Sequence, residues 1–127
     1  MIEADHESWM NVNPQTVALM EDVKRAGYVL GILSNMPHDF LAMARKDLPV
    51  FSIPDVGVFS CEYNLIKPEM AIYGKLLELC GAEGQGVVFF DDKIENINGA
   101  AAAGIRAFLW EGNEIARRTL MSLGVKL

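Results

Sequence analysis

Two cysteines in 127 residues, Cys61 and Cys80, cannot build a disulfide framework, and their spacing matches no metal knuckle. They are expected to be reduced and packed near the core. Histidine is equally scarce: His6 and His38 show no ligand pairing, and His38-Asp39 is expected to be a solvated loop. Basic residues touch only at Lys24-Arg25, Arg45-Lys46 and Arg117-Arg118. With a formal net charge of -6, this scatter speaks against nucleic-acid or anionic-membrane surfaces, both of which need clustered cations. No apolar run approaches the roughly 20 residues that cross a bilayer, and the acidic opening lacks signal-peptide character. Internal repeats, low-complexity tracts and linkers are missing too. The expectation is one cytoplasmic domain over residues 1–127.

What is present is a strong apolar content, 51% of residues, with helical and strand-like segments in alternation. Asn13-Pro14 reads as a helix start and Gly27 as its stop. Tyr28 to Leu33 reads as a buried strand, with a helix from Pro37 to about Lys46 and a short strand from Val56 to Ser60. Pro68 to Cys80 reads as a helix with Pro68 at its first position. Val87 to Phe90 reads as a strand, Glu95 to Ala103 as a helix of small residues, Arg106 to Trp110 as a strand and Asn113 to Leu123 as the last helix. Such alternation predicts an α/β fold, a doubly wound parallel sheet with helices on both faces. Met36, Met43, Met70, Trp9 and Trp110 are expected to fill the core.

In sheets of this kind ligands bind beyond the carboxyl ends of the strands, so the polar residues there are the candidates. Ser34 and Asn35 end one strand where hydroxyl and amides can meet an anion. Lys67 precedes Pro68 and brings an ammonium near a helix start. Asp91 and Asp92 follow Val-Val-Phe-Phe directly and place two carboxylates at the mouth of a buried strand, the hard oxygen donors that magnesium takes with water and phosphate. Glu95 and Asn96, a turn later, are placed to cap the helix or to orient the site.

These elements resemble, in kind and order, the motifs of the haloacid dehalogenase superfamily. They are Leu33-Ser34-Asn35, then Ile66-Lys67-Pro68-Glu69 with Ile72-Tyr73 behind it, then Phe89-Phe90-Asp91-Asp92 with Asn96, Ala100 and Gly104. The resemblance is to the small-molecule phosphatase branch and covers Asn13 to Trp110. It implies a Rossmann-like core and magnesium-dependent hydrolysis of phosphomonoesters. By it, Ser34 and the Asn35 amide bind phosphoryl oxygens, Lys67 neutralises phosphate and nucleophile, Asp91 coordinates magnesium, and Asp92 holds the metal's water or Lys67.

The sequence departs from that pattern at its start. The family opens with a strand ending in Asp-x-Asp, whose first aspartate attacks phosphorus, followed by a helical cap. Here Asp5-His6-Glu7-Ser8 follows only Met1-Ile2-Glu3-Ala4, too short and too polar for a central strand. Residues 1–12 are read as a cap remnant. The expectation is therefore a phosphohydrolase domain that is inactive alone; the alternatives are a non-catalytic phosphate- or protein-binding module, or one part of a two-chain assembly. A receiver-type regulatory domain is disfavoured because nothing after Asp92 resembles its lysine arrangement. Loss of the central strand leaves three outcomes: its neighbours pair directly, the N-terminal segment fills the gap, or a second chain does, which makes a homo-oligomer or complementing chain the expected partner alongside a small phosphorylated molecule. The substrate is not encoded in these residues.

Overall fold

A computed structural model describes residues 14–127. The capping role of Asn13, the packing of Trp9, and the readings of His6, Asp5-His6-Glu7 and residues 1–12 lie outside the described residues. Helix α1 (Pro14–Arg25) ends at Gly27, whose φ of +93° is open to glycine without strain. The Gly27 and Tyr28 amides donate back to Lys24 and Val23 carbonyls, closing the helix. Strand β1 (Gly31–Ser34) follows, then α2 (His38–Asp47), a 3-10 turn over Pro49–Ser52, β2 (Val56–Phe59) and the single turn α3 (Ser60–Tyr63). Beyond lie α4 (Met70–Cys80), β3 (Val88–Asp91), α5 (Ile94–Ala102), β4 (Arg106–Leu109) and α6 (Asn113–Ser122).

Strands β1 and β2 pair in parallel with Ser34 opposite Phe59, and β3 and β4 pair in parallel with Asp91 opposite Leu109. Because side chains alternate along a strand, neighbouring residues serve opposite faces. Ile32, Phe59 and Phe90 meet Leu19 and Met20 of α1, Leu41 of α2 and Leu120 of α6. Leu33, Val58 and Phe89 meet Ile72 and Leu76 of α4 with Ile97 and Ala100 of α5 on the other side. One layer of parallel strands between two layers of helices is the doubly wound architecture that the alternation predicts.

Within that layer β1 and β3 are not partners. Among the described residues β1 pairs only with β2 and β3 only with β4, which removes direct pairing from the three outcomes. At the foot of the two strands lies a cavity of about 320 Å³, lined by Val29, Gly31, Val87 and Val88 among others.

Several boundaries differ from the sequence reading. Tyr28 and Val29 are 43% and 59% exposed and precede the strand, because only residues from Leu30 onward have helices on both sides to bury them. Helix α4 starts at Met70 rather than Pro68, and Glu69 is the extended residue before the helix. Met70 therefore stands on the exposed first turn instead of filling the core, while Met36 is buried as expected. Trp110 packs edge-on against Phe90, and Cys61 and Cys80 are free thiols, both partly buried. No helix among the described residues is long and apolar enough to cross a membrane.

Candidate functional site

The polar residues at the carboxyl ends of β1 and β3 meet through the loop that carries Lys67. Ser34 closes β1 with only 2% of its surface exposed, and its hydroxyl forms no hydrogen bond with the described residues. A buried hydroxyl without a partner costs free energy, which makes it a candidate for a ligand atom. The following turn is braced on both sides. The Met36 amide donates to Ser60 Oγ at 3.0 Å, and the Ser60 hydroxyl faces the Met36 carbonyl at 3.3 Å. The Asn35 side chain accepts from the Lys67 amide at 2.9 Å and donates to the Lys67 carbonyl at 3.2 Å.

From that fixed backbone the Lys67 side chain turns inward. Its ammonium donates to Asp91 Oδ2 at 2.9 Å, and the side chains of both residues are almost wholly withdrawn from water. Asp91 ends the apolar strand β3, and its carboxylate is well supplied with donors. The Asn96 side chain donates to Oδ2 at 3.1 Å and the Lys93 amide to Oδ1 at 2.9 Å. Asn96, in the first turn of α5, is itself held by Tyr73 of α4, whose hydroxyl donates to the Asn96 carbonyl at 3.0 Å. Burying both ions is tolerable because each finds an opposite charge and the carboxylate has further hydrogen bonds.

The Lys67-Pro68 loop reaches this position because α5 offers no side chain where the two cross. A Cβ on Gly99 would lie 2.7 Å from the Pro68 carbonyl oxygen and 3.0 Å from the Tyr73 ring. Glycine is thus required for contact rather than for conformation.

Of the residues read from sequence, Asn35, Lys67, Asp91 and Asn96 come together in this network, with Ser34 adjoining it through Asn35. Asp92 is exposed beside Asp91, and the Lys67 ammonium, which the resemblance offers to Asp92 as an alternative to the metal's water, bonds Asp91. Glu95 is exposed, and no side chain caps α5. His38 and Asp39 are solvated. Sequence reasoning passed over Ser60, although it is a polar residue ending an apolar strand as Ser34 does. It passed over the Tyr73 hydroxyl for a different reason: at its helical position the ring reads only as core.

For a divalent cation the donor set is small but of the right kind. Asp91 Oδ1 takes one hydrogen bond and retains acceptor capacity, and the Asp92 carboxylate is next in the chain. Magnesium commonly takes one or two carboxylates and completes its shell with water and phosphate. Among the described residues no three His, Cys, Asp or Glu gather into a group that could hold a metal by themselves.

Comparison with known proteins bears on the family and the fold. The chain is 28% identical over its full length to a phosphatase of Mycobacterium tuberculosis, and spans 61% of that relative's length. An uncharacterised protein from Corynebacterium glutamicum has the same fold across 99% of this chain and 96% of its own, with TM-score 0.80 and 21% identity. A haloacid dehalogenase family enzyme from Bacteroides thetaiotaomicron, solved as a magnesium complex, matches 81% of this chain and 56% of its own, with TM-score 0.69 and 22% identity. The model of the haloacid dehalogenase-like hydrolases matches residues 2–104. With most of its length matched to that model and its polar strand ends joined in one network, this chain belongs to the haloacid dehalogenase-like hydrolases.

Proposed function

We propose that this chain carries the phosphate- and magnesium-holding part of a phosphomonoester hydrolase, and that it does not hydrolyse esters alone. The observation behind this reading is the Ser34 hydroxyl, buried without a partner among the described residues at a strand end, next to Asn35, whose side chain holds the backbone of the Lys67 that bonds Asp91. The Ser34 hydroxyl donates to one phosphoryl oxygen, and the Lys67 ammonium, held by Asp91, offsets the negative charge. Asp91 and Asp92 hold magnesium, which when bound supplies positive charge to the phosphoryl group. Phosphoryl transfer depends mainly on positioning and electrostatic stabilisation, and these groups supply both.

Attack on phosphorus needs a further group. Asp91 is engaged by Lys67, Asn96 and the Lys93 amide, and the described residues gather no third carboxylate beside Asp91 and Asp92. Hydrolysis of 4-nitrophenyl phosphate with magnesium tests the reading. The chain and its Asp91→Ala variant are expected to match the solution background, whereas turnover that Asp91→Ala abolishes overturns the inactive assignment.

A second reading, part of a two-chain assembly, is favoured by the absence of pairing between β1 and β3 among the described residues. Ile32 and Phe90 share one core and Leu33 and Phe89 the other, so the two strands lie in one layer without being partners. A strand from a complementing chain, apolar on both faces and parallel to its neighbours, suits that place. Its test is sedimentation with amide exchange: a monomer whose Ile32, Leu33, Phe89 and Phe90 amides are all protected at every concentration counts against a partner strand.

A further inference from the structure

The side chain of Asn35 does something that no reading of its backbone provides. It meets both polar groups of one residue 32 positions away, accepting from the Lys67 amide and donating to the Lys67 carbonyl. A planar carboxamide is well suited to this, because it presents an acceptor and a donor side by side as a strand backbone does. Aspartate has no donor and serine has only one atom to offer. Lys67 follows the exposed Ile66 and precedes Pro68, in a loop between α3 and α4, so it has no strand or helix to fix its backbone. Its side chain nevertheless reaches a buried carboxylate at 2.9 Å. A flexible lysine chain held so loses rotamer freedom, and a fixed starting Cα reduces how much is lost at the site.

We infer that Asn35 is a positioning residue whose side-chain amide anchors the Lys67 backbone and thereby sets where the Lys67 ammonium stands. The inference rests on the reading of Lys67 as the cation that faces phosphate. Asn35 directly follows β1 and Asp91 ends β3, so the Lys67 loop is fastened by its backbone just beyond one strand and by its side chain to the end of the other. Ser60 performs the matching task from α3 by gripping Met36, which keeps the Asn35 turn itself from moving. The phosphate-facing end of the site is therefore set by side-chain clamps on loops.

Limited acetylation of the folded chain with acetic anhydride, read at each lysine by peptide mass spectrometry, tests this. Exposed Lys46 and Lys126 serve as internal standards. Lys67 is expected to be the slowest lysine in the native chain. Asn35→Ala is expected to raise its rate about tenfold against the standards, the factor that the loss of two such hydrogen bonds corresponds to. Asn35→Asp, which retains the acceptor and loses the donor, is expected to fall between the two, and it carries the comparison if Asn35→Ala does not fold. Unchanged labelling of Lys67 in either folded variant overturns the inference. So does an equal rise at Lys24, whose ammonium is tied to the Ile53 carbonyl elsewhere in the fold, since that reports general loosening. Inorganic phosphate with magnesium is expected to slow the Lys67 reaction in the native chain and to do so less in the variants. Labelling that responds to Asn35 but never to phosphate leaves the positioning role standing and removes the phosphate reading.

Discussion

The Lys67 ammonium stands 2.9 Å from Asp91 Oδ2, with 2% and 1% of the two side chains exposed. Neither ion has water to fall back on, so the charges are met within the protein. Removing one partner takes the opposite charge away from a buried ion, at a cost of about 3–5 kcal/mol, whereas replacing both by apolar groups is close to neutral. Asp91→Ala is expected to lose about that much in urea denaturation, and Lys67→Met combined with Asp91→Leu to recover most of it. A double variant as unstable as the single one would show that the network, not the lone charge, sets the loss.

Gly99 is the place where α5 touches the Lys67-Pro68 loop. An added methyl meets backbone on one side and a buried ring on the other, and neither can swing away. Gly99→Ala is expected to destabilise the chain by about 1–3 kcal/mol in spite of alanine's better helix propensity. A thermal melt that rises instead would mean that the loop moves freely.

Tyr73 contributes a ring to the core and a hydroxyl to the Asn96 carbonyl. Tyr73→Phe keeps the ring and is expected to cost about 1 kcal/mol in chemical denaturation. No loss of stability would indicate that Asn96 holds Asp91 without help from α4.

Burial raises the Cys80 thiol above its ordinary value. Its thiolate fraction near pH 8 is thus smaller than that of a free cysteine, so iodoacetamide is expected to modify Cys80 more slowly in the folded chain than in urea. The unfolded thiol ionises first as pH rises, so this group's contribution to stability is present below the ordinary cysteine range and is lost through and above it. Equal alkylation rates in the two states would contradict the shift.

Much of this was legible in the sequence because it lay in period and punctuation. Alternation of Ile32 with Leu33 and of Phe89 with Phe90 placed strands with two buried faces, and Gly27, Gly81 and Gly104 marked helix ends by their left-handed geometry. Ser34, Lys67 and Asp91 were legible because each is a polar residue at the edge of an apolar run. What stayed hidden depends on distance through space. Nothing within Lys67-Pro68 tells that the ammonium goes to Asp91, and nothing within Asn35 tells that its amide reaches across 32 residues. The start of α4 is not legible because proline suits both a first helical position and the extended approach to one.

The most direct test of the phosphate site is the titration of inorganic phosphate, with magnesium present, into the native chain and Ser34→Ala, followed by calorimetry. A hydrogen bond to a charged oxygen is lost, so phosphate is expected to bind the variant about tenfold or more weakly. Stability is expected to hold or rise, since the hydroxyl removed had no partner among the described residues. Equal affinities, or no binding by the native chain, would contradict the assignment.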